Sequence, residues 1–189
     1  MKINLLKVCG SPVLAGTLNG RVTLGRLLEA TATEADTPEP IFLNFSGIEV
    51  ATASFLRESV LAFRDIIRGR RSHYYPVVAN LDALVQDELI ELLKPRGGVL
   101  MTCTLADDGT VSDPAPLGEL DPKQRMTFDL VLQRGETDAG ALMREFGVSE
   151  GVKHTTAWNN RLASLAALGL VIEQSQGRAK RYRPLFEGA

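Results

Sequence analysis

Three short apolar runs, Ile41 to Phe45, Tyr74 to Ala79 and Val99 to Leu105, are separated by two amphipathic stretches, and no other feature narrows the fold as much. In the first run Ile41, Leu43 and Phe45 alternate with Phe42 and Asn44, the pattern of a strand buried on much of both faces. Beyond it, Phe55, Leu56, Val60, Phe63, Ile66 and Ile67 recur at helical intervals with Arg57, Glu58, Arg64 and Asp65 between them. This predicts an amphipathic helix that opens at Thr52 or Ser54, with Ser54 as its cap, and ends in Arg68-Gly69-Arg70-Arg71. A second helix follows the middle strand, capped by Asn80 or Asp82, carrying Ala83-Leu84-Val85 and Leu89-Ile90-Leu92-Leu93, and stopped by Pro95 and Gly97-Gly98. Strand, helix, strand, helix, strand is an α/β pattern, a mixed sheet with helices packed on it.

The flanks of this block set its limits. Met1 to Gly10 reads as a further strand, and its apolar stretch is interrupted by Lys7, far short of the ~18 consecutive apolar residues of a membrane span. Leu24, Leu27 and Leu28 fall at helical spacing among Gly16, Gly20 and Gly25, and Thr31 to Pro40 is a polar loop. From Val111 to Asp121 apolar periodicity vanishes, while Pro114, Pro116, Gly118 and Pro122 accumulate. A chain of 189 residues has room for two small domains, so the boundary is expected here: a first domain over 1–115, a linker over 116–121 and a second domain over 122–189.

The second domain reads as mainly helical. Asp121 caps a helix from Pro122 to Arg134 that Gly135 stops, and Thr137 or Asp138 caps a shorter one over Ala139 to Phe146. A third helix opens at Ser149 or Glu150, places Val152, Thr156, Leu162, Leu165 and Leu168 at helical intervals with Trp158 in the core, and ends at Gly169 before the strand Leu170 to Glu173. A short polar turn then leads into a basic strand. This order, with the phrase Asn160-Arg161-Leu162-Ala163-Ser164-Leu165-Ala166-Ala167-Leu168-Gly169-Leu170-Val171, resembles the winged helix-turn-helix of MarR-like bacterial regulators.

That resemblance implies contact with double-stranded DNA. The net charge is -2, so attraction to phosphate has to come from a local cluster. Arg178, Lys180, Arg181 and Arg183 supply one on the wing, where they suit phosphates or a minor groove. On the third helix Lys153 and Thr155 would hold phosphates, while Asn159 could pair with adenine and Arg161 with guanine. Because one small module reads little sequence, a homodimer is the expected binding form.

The segment Ile41 to Leu56, with Asn44-Phe45-Ser46-Gly47 leading through small residues to Ser54-Phe55-Leu56, is similar to the central motif of STAS-like domains of the DUF4325 family. The resemblance covers the first 115 residues and implies a domain that receives a signal or a protein partner. In related anti-sigma-factor antagonists a serine in this loop is phosphorylated. Thr52 and Ser54 are the residues at the comparable positions here, and Thr52, Ala53 and Phe55 replace the acid, one serine and the glycine of that motif.

Catalysis is not expected. His73 and His154 stand apart from any nucleophile, no phosphate-cradling glycine fingerprint or metal-ligand cluster is present, and Cys9 and Cys103 read as small apolar residues in strands. No cofactor is implied, and two cysteines that read as buried thiols, not as a disulfide, make the cytoplasm the expected location. The expectation is a regulator that couples a STAS-like domain to a DNA-binding winged helix. The alternative is a protein-interaction adaptor of a partner-switching or GHKL-ATPase-associated system.

Overall fold

A computed structural model describes residues 1–177 and 179–186, and the chain divides into two compact units, Met1–Glu119 and Leu120–Ala189. The first is α/β. Its elements are β1 (Lys2–Asn4), α1 (Leu5–Cys9), β2 (Val13–Leu14), α2 (Thr17–Ala30), β3 (Glu39–Asn44), β4 (Val50–Ala51) and α3 (Ala53–Leu56). A π turn over Arg57–Leu61 continues α3 into α4 (Ala62–Gly69), followed by β5 (Tyr74–Ala79), α5 (Ala83–Leu93), a 3-10 turn over Lys94–Arg96, β6 (Leu100–Leu105) and β7 (Val111–Leu117).

The main sheet has the order β1-β3-β5-β6-β7, with β2 and β4 forming a separate parallel pair. The first four strands are parallel and β7 runs antiparallel to β6. Because spatial order follows chain order, right-handed crossovers carry the connecting helices to one face. The core lies there: Ile41, Leu43, Val78 and Leu100 of the strands join Leu56, Val60, Phe63, Ile67, Val85, Leu89 and Leu93 of the helices.

Two features depart from expectation for physical reasons, and a third decides between two expected caps. The strand expected over Met1 to Gly10 stops at Asn4, whose side chain accepts from the Lys7 amide and so caps α1, and Gly10 closes that helix in the left-handed conformation. Cys9 therefore sits on a helix, half-buried and 3.4 Å from the Thr23 hydroxyl, whereas Cys103 is buried in β6. The proline-rich stretch is the strand β7 and includes Pro116 and Leu117, both assigned above to the linker. It is an edge strand, where a residue without an N–H costs no ladder bond to a further neighbour. Asp82, not Asn80, caps α5. Asn80 is instead a clamp: from a left-handed backbone its amide donates to Asn44 Oδ1, Ser46 Oγ and the Leu105 carbonyl and accepts from the Leu105 amide, at 2.8 to 3.0 Å. Three strand ends are thereby tied by one side chain.

The second unit contains α6 (Pro122–Arg134), α7 (Ala139–Phe146), α8 (Thr155–Leu168) and a hairpin of β8 (Val171–Gln176) and β9 (Ala179–Pro184). Asp121 and Gln124 form a reciprocal capping box on α6, and the Asp138 carboxylate caps α7. Helix α8 packs against both α6 and α7. Its Trp158, Leu162 and Leu165 are fully buried, as are Val131 and Leu142. The α6–α7 connection also pairs with the hairpin, because Thr137 and Tyr182 exchange backbone hydrogen bonds of 2.9 and 2.8 Å as an isolated antiparallel bridge.

Candidate nucleic-acid interface

Helix α8 begins at Thr155, later than its apolar spacing suggested, because the residues before it are used by a different turn. The Val152 amide donates to the Gly147 carbonyl and the Gly151 amide to the Val148 carbonyl, with Gly151 at φ 62°. This is the bonding pattern of a glycine-terminated helix end, so residues 147–151 finish a turn after α7. Lys153 is consequently an exposed residue ahead of α8, and Thr155 is its exposed first residue. His154, at the cap position, makes no side-chain hydrogen bond, unlike Asp121 and Asp138 at the other two helices of the unit. No side chain caps the start of α8.

Along α8 the buried stripe is Trp158, Leu162, Leu165 and Ala166, and the opposite face exposes Thr155, Thr156, Asn159, Asn160, Ala163 and Ala167. Asn159 therefore lies where expected. Arg161 does not: its side chain is only 11% exposed, lies 3.9 Å from the Glu150 carboxylate and stacks over the Trp158 ring at 4.7 Å. The helical twist explains this, since Arg161 precedes Leu162 and follows the exposed pair by 100°, which turns it toward the flank that packs against the turn after α7. The indole N–H of Trp158 has no acceptor among the described residues, so an apolar and cationic lid, not a hydrogen bond, covers this ring.

Gln176 and Ala179 are the last paired residues of the hairpin, and Gly177 beyond Gln176 is at φ 61°. Arg178 lies outside the described residues. Lys180 forms a 2.8 Å ion pair with Glu173 across the hairpin, and Arg181 one of 2.8 Å with Glu136 in the α6–α7 connection. Arg183 shares the strand face of Arg181, two residues on, and has no carboxylate partner among the described residues. The basic set thus separates into members engaged by glutamate (Arg161, Lys180, Arg181) and members without such a partner, Lys153 and Arg183. Tyr182, on the opposite strand face, is buried, and burial together with Glu173 raises its phenol far above the ordinary range.

In the first unit Thr52, not Ser54, caps α3. Its hydroxyl accepts from the Phe55 amide at 3.4 Å and the Gly16 amide at 3.3 Å, and it lies 3.2 Å from the Ser54 hydroxyl. The Ala53 amide, which a bound phosphate would be expected to use, donates to Glu88 of α5 at 2.8 Å. The helix start is already satisfied by the protein's own carboxylate. Ser54 remains half-buried inside the first turn.

Near this loop the paired strands β2 and β4 expose Val13 and Val50 opposite one another, and α2 exposes Leu18 and Val22 one turn apart. A cleft of about 190 Å³ opens between Val13, Asn19, Val22, Thr23 and Arg26. It is smaller than the ~300–1,000 Å³ of ordinary small-molecule sites. His73 is tied down by its Nδ1 contact to the Ala35 carbonyl at 2.7 Å, and its amide donates to Glu34. No helix among the described residues is long and apolar enough to cross a membrane.

No family model matches the chain, and no curated protein matches it.

Proposed function

We propose that the chain is a DNA-binding transcriptional regulator in which a winged helix formed by residues 120–186 contacts duplex DNA and the first unit, a STAS-like domain, receives a protein partner. The observation that carries this reading is the polar, uncharged outer face of α8, with the exposed Lys153 just ahead of it and Arg183 on the hairpin without a carboxylate partner among the described residues. A helix with one row of large apolar residues buried and only small polar or methyl side chains outside can approach a duplex closely, and the uncapped amides at its start favour phosphate. The order α6, the Thr137 bridge, α7, α8 and hairpin supports the winged-helix assignment, because the bridge joins the inter-helix segment to the wing. The apolar quartet Val13, Leu18, Val22 and Val50, next to a cleft too small for most ligands, supports a protein partner at the first unit.

The deciding experiment is a titration of a labelled duplex with the full chain over a salt series. Affinity falls with salt, and Lys153→Ala with Arg183→Ala weakens binding across all sequences and lowers the salt slope by about 2. Absence of binding at low salt, or an unchanged slope in the double variant, sinks the reading.

A further inference from the structure

We infer that α8 reads A·T pairs through Asn159 and Asn160 and has no means of its own to select G·C. The inference rests on the DNA-binding reading above and adds to it the class of site that is bound.

Successive residues of an α-helix are 100° apart, so residues four apart lie almost in line. Thr155, Asn159, Ala163 and Ala167 make one exposed row, and Thr156 with Asn160 makes a second beside it. The face is two rows wide and carries two hydroxyls, two amides and two methyls. Every side chain on it is short, which keeps the helix slim enough for a major groove about 12 Å wide.

The chemistry of the two base pairs then separates. An amide side chain matches adenine in the major groove, accepting from N6 and donating to N7, and an alanine methyl packs against the thymine methyl. Guanine offers two acceptors, O6 and N7, for which an arginine or lysine is the matching donor, and cytosine offers an N4 donor that a carboxylate accepts. None of these charged groups lies on the exposed face. The helix has one arginine, and Arg161 is turned away, with its guanidinium on the Trp158 ring and near Glu150. Lys153 lies ahead of the first turn and Glu150 is further back still, engaged with Arg161. Each amide is free to act: Asn159 and Asn160 are exposed and make no side-chain hydrogen bond among the described residues.

Selection of bound duplexes from a randomised pool by the full chain, followed by sequencing, tests this. The expected product has A·T pairs at the positions under α8. Asn159→Ala and Asn160→Ala each relax the preference at one of those positions by about ten-fold or more. Replacing the selected adenine by 7-deazaadenine, which lacks the N7 acceptor, reproduces the loss. Both asparagines are exposed, so an unchanged melting temperature accompanies the variants. A fixed G·C pair under α8, or A·T preferences unaltered in both asparagine variants, overturns the inference and leaves DNA binding standing. Failure to retain any duplex at low salt overturns both.

Discussion

The two units differ in what they leave on their surfaces. Up to Glu119 the chain carries eleven Lys and Arg against fifteen Asp and Glu, and four of its exposed large apolar side chains, Val13, Leu18, Val22 and Val50, lie on β2, β4 and α2. From Leu120 onward the balance reverses to ten against eight, and the exposed face of α8 has neither charge nor large apolar groups. A whole-chain charge of -2 conceals this division. The net positive balance is thus confined to the second unit, and it is modest, since Lys180 and Arg181 of the hairpin are already paired with glutamates.

The largest test of the division is Trp158→Ala. Emptying a fully buried indole site costs about 3–5 kcal/mol, and the loss is expected in the unfolding of the second unit. Followed by circular dichroism, the denaturation of the variant shows an early step, while the amides of β3 and β5 keep their hydrogen-exchange protection. Equal loss of protection in both units would show that they are one cooperative body. Because Trp158 is the chain's only tryptophan, fluorescence of the parent protein reports the second unit selectively.

A smaller effect sharpens the electrostatic side. Glu136→Gln releases Arg181 from its carboxylate, so duplex affinity rises at low salt and the salt dependence steepens by up to about 1. Unchanged affinity would mean that this arginine does not reach the duplex.

The smallest effect lies in the first unit. Arg21 and then Arg57 hold the Glu58 carboxyl below its ordinary range. A carboxylate whose folded pKa is depressed stabilises the fold above its unfolded pKa, and that contribution disappears as pH falls through the folded value. Glu58→Gln is thus expected to flatten slightly the acid side of the stability curve for the first unit and to leave neutral-pH DNA affinity alone. The pair is exposed at Arg21, which keeps the effect small. An identical acid limb in parent and variant rules the contribution out.

What the sequence disclosed and withheld follows from how local each determinant is. Helix α6 could be bounded to the residue because Asp121-Pro122 and Gly135 are start and stop signals in themselves. Strand β7 was hidden because Pro114 and Pro116 argue against a strand everywhere except at an edge, and edge position is a fact about topology. The five-residue α1 is too short to show a period. At the candidate interface, Asn159 followed from helical spacing, but its neighbour Asn160 was overlooked, and Arg161 was placed outward because its attachment to Glu150 and Trp158 depends on how the turn at Gly151 folds back. The Thr137–Tyr182 bridge joins residues 45 positions apart by backbone alone, which no side-chain pattern announces.

The bare face of α8 has an evolutionary consequence. Thr155, Thr156, Asn159, Asn160 and Ala163 bury nothing, whereas Trp158, Leu162 and Leu165 on the opposite side hold the helix in place. Substitutions on the outer rows should be nearly neutral for stability. Descendants of this chain can therefore change the chemistry of this face one exposed residue at a time without passing through an unfolded ancestor, and under the DNA-binding proposal such changes would move it from one duplex site to another.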